Sequence, residues 1–373
     1  MKKTSFWNKM KILSSSTDKI VNMDNLFISD EKPEFVTIKQ NYTKKNRYSE
    51  KDLQQISDFY RYNFRLGKSN DTIFVPKTEL EKILAMRGEI ITIYKEDNLI
   101  GSIISYEVPI SINININVND KINSTIYDDM KYTSKDIIFG CTTSLILHKK
   151  YRGTGLGIAL IQESLQLMYE TGTKVAYFIN NVSRCNNSIP ITNWYYPLNL
   201  EKLDACHYVY PREFRNRFEL TGENLSVNVN NRNLNSAHAF YTEIMKKKPF
   251  YFSPSIDYYQ KWIERFKTYV VIQNNCITGL YSFNHRSIWY PSLNTVLEIG
   301  YLITCIGFDT NFVIQQALLQ GKKSFDLMVF QEIGDIKADN LDKIFAQRNF
   351  KTYVNFFNTP IRLKPSDFYA PVL

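Results

Sequence analysis

His148-Lys149-Lys150-Tyr151-Arg152-Gly153-Thr154-Gly155-Leu156-Gly157 stands between two segments of opposite character. Upstream, Ile137-Ile138-Phe139 through Leu145-Ile146-Leu147 has the residue types of a strand. Downstream, Ile158, Ile161, Leu165 and Met168 recur at i, i+3, i+7 and i+10, the spacing of a helix. A glycine-rich loop that leads from strand to helix exposes backbone N–H groups at the positive end of the helix dipole. That arrangement seats an anion such as a pyrophosphate. The bland alternative is that the three glycines only turn the chain; the flanks and the cluster Lys149, Lys150, Arg152 favour the anion. The loop is not a nucleotide P-loop, because no Gly-Lys-Ser/Thr closes it, and Arg-x-x-Gly-x-Gly falls short of a dinucleotide fingerprint.

Around this loop the pattern predicts one order of elements, used twice. Residues 50–66 and 77–87 read as helices, and Glu89–Tyr94 and Leu99–Tyr106 as strands around the turn Lys95-Glu96-Asp97-Asn98. Ser111–Val118 alternates with period 2 and predicts a separate half-buried strand with one wet face. The strand, loop and helix follow, then a strand over Lys174–Ile179. The second round has helices over Ala237–Lys247 and Ile256–Phe266. Strands follow over Tyr269–Gln273 and Ile277–Phe283 around Asn274-Asn275, and over Val296–Cys305. A helix over Phe312–Leu319, a strand over Phe325–Phe330, a helix over Ala338–Gln347 and a strand over Tyr353–Phe357 complete it. Here Gly307-Phe308-Asp309-Thr310 stands where the first round has its glycine loop. Two halves are expected, residues 1–210 and 211–373, of which the first binds the anion.

Composition narrows the class. With 44% hydrophobic and 22% charged residues the chain is globular. The N-terminus lacks the apolar core of a signal peptide and no apolar run reaches a membrane span, so a soluble, cytoplasmic protein is expected. The net charge of +9 is scattered in short runs such as Lys149-Lys150, Lys246–Lys248 and Lys322-Lys323, which argues against a specific nucleic-acid partner. A polyanionic ligand fits the charge, as does loose attraction to ribosomes or membrane surfaces. The five cysteines form no CxxC and the four histidines no HxxxH or HExxH, so neither a disulfide framework nor a metal site is expected, and the thiols read as buried.

In this setting the Arg-x-x-Gly-x-Gly loop resembles the acyl-CoA loop of the GNAT acyltransferase superfamily, and the repeated order is the one GNAT folds use. The resemblance implies an α+β fold of tandem GNAT-like halves, related by pseudo-twofold symmetry around a continuous mixed β-sheet. A GNAT pair with one surviving CoA loop is similar to the glycylpeptide N-tetradecanoyltransferase (N-myristoyltransferase) family. Phe6-Trp7-Asn8 looks like that family's Phe-Trp-Asp segment, and Leu145–Ala159 like its acyl-CoA block with His-Lys-Lys-x-Arg. Asn193-Trp194-Tyr195-Tyr196-Pro197-Leu198-Asn199 with Lys202-Leu203 looks like its Tyr-Trp-His-Arg-Ser-Leu-Asn and Lys-Leu segment. Leu280-Tyr281-Ser282-Phe283 and Gly300-Tyr301 are similar to two of its strands, and Pro371-Val372-Leu373 to its short apolar end.

The resemblance implies transfer of a myristoyl group from myristoyl-CoA to the N-terminal amine of a glycine peptide, by a monomer that needs no metal. The donor would be held by Phe6, Trp7, Leu147, Lys149, Lys150, Arg152, Gly153, Thr154, Gly155, Leu156, Gly157 and Ile158. Its developing oxyanion would face the backbone N–H groups of Ser144 and Leu145. The carboxylate of Leu373 would act as base. In water that is about 4.5 pK units uphill, roughly 6 kcal/mol, which burial would narrow. The peptide would meet Tyr62, Thr143, Tyr177, Asn180, Trp194, Tyr195, Ser282 and Tyr301. About a dozen methylenes at ~0.8 kcal/mol each would separate myristoyl from acetyl.

Departures from the family fall on the peptide side. Phe178 replaces a threonine, Tyr195 a histidine and Thr143 an asparagine, and the family's Asn-Ala-Leu-Asp-Leu-Met-Glu aspartate falls at Val329 in a gap-free alignment. Its acidic run becomes Asn63–Asp71 with Arg65 and Lys68, which implies a weaker preference for basic peptides. Another GNAT-type N-acyltransferase, or a catalytically degenerate acyl-CoA or acyl-peptide binder, stays open on this reading.

Overall fold

The computed structural model describes residues 43–45, 47–64, 72–114, 133–181, 183, 188–208, 220–341, 346–357, 361 and 363–372. The first half opens with β1 (Thr43–Lys45), α1 (Glu50–Asn63), β2 (Thr72–Phe74), α2 (Lys77–Ala85), β3 (Gly88–Lys95) and β4 (Asn98–Ile114). It continues through β5 (Thr133–Leu147), α3 (Leu156–Glu170), β6 (Val175–Asn180), β7 (Ile189–Pro197) and α4 (Leu200–Ala205). Ser49 starts α1 with a capping box: its hydroxyl accepts from the Asp52 N–H while the Asp52 carboxylate takes the Ser49 N–H. Leu53, Ile56 and Tyr60 then line one buried face.

The second half repeats the order with β8 (Ser226–Asn228), α5 (Leu234–Met245), β9 (Phe250–Phe252), α6 (Ile256–Arg265), β10 (Lys267–Gln273) and β11 (Cys276–Tyr290). β12 (Thr295–Gly307), α7 (Thr310–Gly321), β13 (Leu327–Gln331), α8 (Ala338–Leu341), β14 (Ala346–Phe357) and β15 (Phe368–Tyr369) follow. Both expected hairpin turns form with paired left-handed residues, Glu96 and Asp97 at φ 51° and 64°, Asn274 and Asn275 at φ 50° and 62°. Two consecutive residues at positive φ match the twist of the flanking strands.

All strands among the described residues join one mixed sheet, whose main path runs β1-β3-β4-β5-β6-β14-β7-β13-β12-β11-β10-β8. The order is nearly a palindrome about β14 and β7. The parallel pair β5/β6 on one side answers β12/β13 on the other. These are two pseudo-symmetric halves, and they exchange a strand. After β6 the chain leaves to make β7 beside β13, and after β13 it returns as β14 beside β6. Adjacent residues of β6 face opposite ways. Tyr177 joins a core with Val108, Phe139, Trp262, Phe368 and Val372, whereas Ala176 meets Leu165 and Met168 of α3.

The structure corrects several expectations. β4 runs unbroken from Asn98 to Ile114, and its far end has no wet face where it is described: Ser111 and Asn113 are buried. Asn113 Nδ2 donates to the carbonyls of Lys246 and Lys248 at 2.7 and 2.6 Å, and Ser111 bonds Asp136. Polar residues on an alternating strand go inside when their hydrogen bonds are made there. The expected helix over Ala338–Gln347 is only Ala338–Leu341, because Ala346 and Gln347 pair with Tyr195 and Trp194 of β7 as strand. β7 itself was not foreseen; Pro190 and Pro197 and the polar Thr192-Asn193 interrupt its apolar signal. Cys141, Cys206 and Cys305 are buried as expected, but Cys276 is exposed beside its turn.

Asp326 ties three elements together. Its carboxylate accepts from Lys202 Nζ at 2.6 Å, Asn199 Nδ2 at 3.0 Å and the Glu298 N–H at 2.8 Å. Removing one partner of such a buried group strands the others. Asp326→Ala is expected to lose about 2–4 kcal/mol of stability, read from the thermal or urea unfolding midpoint, with Asp326→Asn losing less.

Candidate functional site

β5 and β6 are zipped only from Phe139↔Val175 to Thr142↔Phe178. Beyond that point each strand has another neighbour: Ile146 pairs with Ser102 of β4, while Ile179 and Asn180 pair with Val354 and Tyr353 of β14. The sheet is therefore parted at the C-terminal ends of two parallel strands, where open α/β sheets bind ligands. A bulge marks the parting. The β4/β5 register jumps from Ile104↔Thr143 to Ser102↔Ile146, which leaves Ser144 and Leu145 together opposite Ile103. Ser144 is left-handed, at φ 55°.

Tyr60 of α1 fixes this bulge. Its hydroxyl donates to the Ser144 carbonyl at 2.6 Å and lies 3.4 Å from Ser102 Oγ. Full burial pushes the phenol well above its ordinary value, so it remains a donor at physiological pH. The periodicity of α1 marks Tyr60 as buried, but nothing in the sequence names its partner. Leu145 is more than a third exposed beside the opening, and the Thr143 and Ser144 hydroxyls lie 3.4 Å apart.

The glycine loop continues from this strand. Gly153 and Gly155 lie at φ 82° and 90°, and a Cβ on either would meet nothing within 4 Å, so conformation and an open approach demand them. Gly155 is the N-cap of α3 and offers no side chain to its first turn. The leading N–H groups of α3 thus remain available to an external anion. Lys149, Lys150, Arg152 and Thr154 are exposed around them. Arg152 also braces the loop, donating from Nε to the Leu147 carbonyl at 3.1 Å and from Nη2 to the Asn63 carbonyl at 2.9 Å.

The second half carries the same parting without the same seat. Zipping of β12 and β13 ends at Leu302↔Phe330, and the register against β11 then skips Ile303. There Asp309 caps α7, its Oδ1 accepting from the Asn311 and Phe312 N–H groups at 2.9 and 3.1 Å. The chain's own carboxylate occupies the position an anion would take.

A third component reaches the first half from the far end of the chain. Tyr177 Oη on β6 donates to the Pro371 carbonyl at 2.9 Å, and Ala370 and Val372 are buried at 1% and 2% exposure. Burial pushes the Tyr177 phenol well up and the Cys141 thiol to about 11, so both stay protonated and neither serves as a nucleophile. Phe6, Trp7, Leu373 and the stretch Arg65–Asp71 lie outside the described residues.

Of the expected site residues, Thr143, Ser144, Leu145, Leu147, the loop through Ile158, Tyr177 and Asn180 converge on the parting. Tyr62 is two-thirds exposed near the end of α1, next to the Asn63 carbonyl that Arg152 grips. The other four belong to the second half of the sheet. Trp194 is interior, its Nε1 donating to Glu332 at 3.4 Å, and the Ser282 hydroxyl pairs with Thr268 Oγ1 at 2.9 Å. Tyr195 packs on the core around Val329, and Tyr301, under the Arg286 guanidinium at 4.8 Å, bridges that core and the main one. Val329 is buried and apolar, and Asp326, three residues earlier, holds Lys202. Among the described residues, no group of three His, Cys, Asp or Glu side chains is placed to hold a metal ion.

A parted parallel pair, a bulge at its mouth and a helix N-terminus behind it, set in two pseudo-symmetric halves, define the fold. More specifically, the chain has the fold of the N-myristoyltransferases. The Saccharomyces cerevisiae N-myristoyltransferase with bound myristoyl-CoA superposes with a TM-score of 0.75 at 15% identity, covering 98% of this chain and 94% of that one. A second structure of the yeast enzyme with myristoyl-CoA gives 0.71 at 16% identity, covering 93% and 84%. A third, with myristoyl-CoA and inhibitors, gives 0.75 at 13%, covering 99% and 94%. No protein-family model matches the chain, and no curated protein matches it by sequence.

The left-handed bulge gives a direct test. A non-glycine residue there costs about 1–2 kcal/mol, which glycine relieves at some cost in chain entropy. Ser144→Gly is expected to unfold within about 1 kcal/mol of wild type, whereas β-branched Ser144→Val is expected to lose about 2 kcal/mol or more. Thermal unfolding midpoints of the two variants check the order.

Proposed function

We propose that this chain is an N-acyltransferase that moves a myristoyl group from its CoA thioester to the N-terminal amine of a glycine peptide. One observation carries the reading: the sheet parts beside a left-handed bulge, immediately before a helix whose N-cap is a bare glycine. Two needs of thioester aminolysis meet there. Pyrophosphate oxygens require oriented N–H donors and positive charge, which the first turn of α3 with Lys149, Lys150 and Arg152 supplies. The thioester carbonyl requires donors where its oxyanion develops, the role assigned to the N–H groups of Ser144 and Leu145. The yeast enzyme of the same fold holds myristoyl-CoA, which favours that donor over a short acyl group.

No side-chain nucleophile enters the reaction. The glycine amine attacks the thioester carbon, the carbonyl π electrons move to oxygen, and collapse of the tetrahedral intermediate expels the CoA thiolate. The amine must first lose a proton, and the proposed acceptor is the carboxylate of Leu373. Support for this base is the burial of Ala370–Val372 and the hydrogen bond from Tyr177 to Pro371. A carboxylate in such surroundings is a stronger base than in water, and a neutral amine is favoured there too.

The decisive assay is acyl transfer from myristoyl-CoA to a Gly-Asn- or Gly-Cys-starting peptide, with acetyl-CoA and an Ala-starting peptide as controls. Myristoyl-selective, glycine-dependent turnover is expected. Tight myristoyl-CoA binding with no transfer would replace the reading by a binding protein. Extending the chain by one glycine after Leu373 moves the carboxylate; it is expected to lower kcat at least a hundredfold while leaving the Kd for myristoyl-CoA within twofold.

A further inference from the structure

The residues that follow β14 are held to the second half as well as the first. Phe368 and Tyr369 pair in parallel with Phe250 and Tyr251 of β9. They also border the second half's own parting: a cavity of about 30 Å³ is lined jointly by Ile303–Ile306 of β12, Ile333–Ile336 beyond β13, and Phe368–Ala370. In the place where the first half would hold a thioester, the second half holds the chain's C-terminal segment.

Three polar side chains fasten it. Tyr369 Oη donates to Asp335 Oδ1 at 2.7 Å. Lys248 Nζ donates to both Asp335 oxygens, at 2.9 and 2.8 Å, and lies 4.6 Å from the Tyr369 ring centroid. Lys248 is itself anchored, since its carbonyl accepts from Asn113 Nδ2 of β4. The Gly334 N–H donates to the Pro365 carbonyl at 2.9 Å, and a Cβ on Gly334 would sit 2.8 Å from the Tyr369 ring, so the ring lies directly on the backbone. Burial first, then the hydrogen bond to Asp335, pushes the Tyr369 phenol far up, so it stays a donor. Lys248 pairs with Asp335, so the trio carries no net negative charge.

We infer that Tyr369, Asp335 and Lys248 form a clamp that positions the segment Phe368–Val372 against the first half for the acyl-transfer step. The inference rests on the proposed acyl transfer. The chain is gripped at Pro365, Tyr369 and Pro371. A segment held at three points acts as an intramolecular group rather than a wandering one. The clamp residues are positioning residues, since none is assigned a contact with the reacting atoms.

The test uses the full chain carrying Tyr369→Phe, Asp335→Asn and their combination, with Asp335→Glu as the conservative variant. Steady-state kinetics with myristoyl-CoA and a glycine peptide are read beside hydrogen exchange at residues 366–372. The expected result is a kcat at least tenfold lower in each single variant and a KM for myristoyl-CoA within twofold of wild type. Exchange should be faster at 368–372, Asp335→Glu should recover part of kcat, and the double variant should be no worse than the weaker single. An unchanged kcat in both singles overturns the clamp and leaves the acyl-transfer reading standing. A matching loss of donor affinity also overturns it, because general loosening would then account for the effect. A wild-type chain that transfers nothing overturns both.

Discussion

A left-handed residue in the middle of a strand is the constraint on which the rest of the site depends. Were Ser144 extended, β5 would continue in register with β4, and its last residues would point to the opposite faces of the sheet. The bulge instead absorbs one residue and turns the strand away from β6 at the point where their pairing stops. It also delivers the chain into His148 and the glycine loop on the side where α3 begins. The Tyr60 hydroxyl holds the Ser144 carbonyl in this conformation from a helix more than eighty residues earlier. A local backbone strain of about 1–2 kcal/mol is thus maintained by tertiary contacts, the usual origin of such strain at functional sites.

The two halves share topology, hairpin turns and even the position of the parting, so their difference lies in a small number of atoms. A helix N-terminus carries roughly half a positive charge and N–H groups that lack intrahelical partners. In α7 the Asp309 carboxylate answers the charge and takes two of those N–H groups. In α3 the cap is Gly155, with cationic side chains nearby, and the field points outward. The same fold thus leaves one helix N-terminus without a side-chain cap and covers the equivalent one with an aspartate.

Much of this was legible in the sequence, for identifiable reasons. Lys95–Asn98 and Asn274-Asn275 are turns because their residue types tolerate positive φ, and they formed as read. The strand, glycine loop and helix were legible because each is a local pattern. The misreadings share a cause as well. Asn113 looked wet because its side chain is polar, yet its partners are carbonyls some 130 residues away. Ala346 and Gln347 looked helical because their propensities are, yet strand pairing with β7 overrode them. The partners of Tyr60, of Asp326 and of the Tyr369–Asp335–Lys248 group left no readable signal, because each is defined by a distant contact rather than a spacing.

The strand exchange explains how residues late in the chain pack against strands built by its beginning. β14 belongs to the second half by sequence but lies beside β6 of the first, so the residues that follow it emerge next to Tyr177 and not at the far edge of the sheet. Residues 363–372 then run back across the junction to β9 and the segment beyond β13. Neither half can close its core without the other, since Phe139 and Tyr177 of the first pack with Phe250, Phe356 and Phe368. Such non-local pairing is slow to form, and isolated halves would each expose unpaired strand edges. The same arrangement sets a late segment of the chain against strands of both halves, a coupling that two independent domains joined by a linker would not enforce.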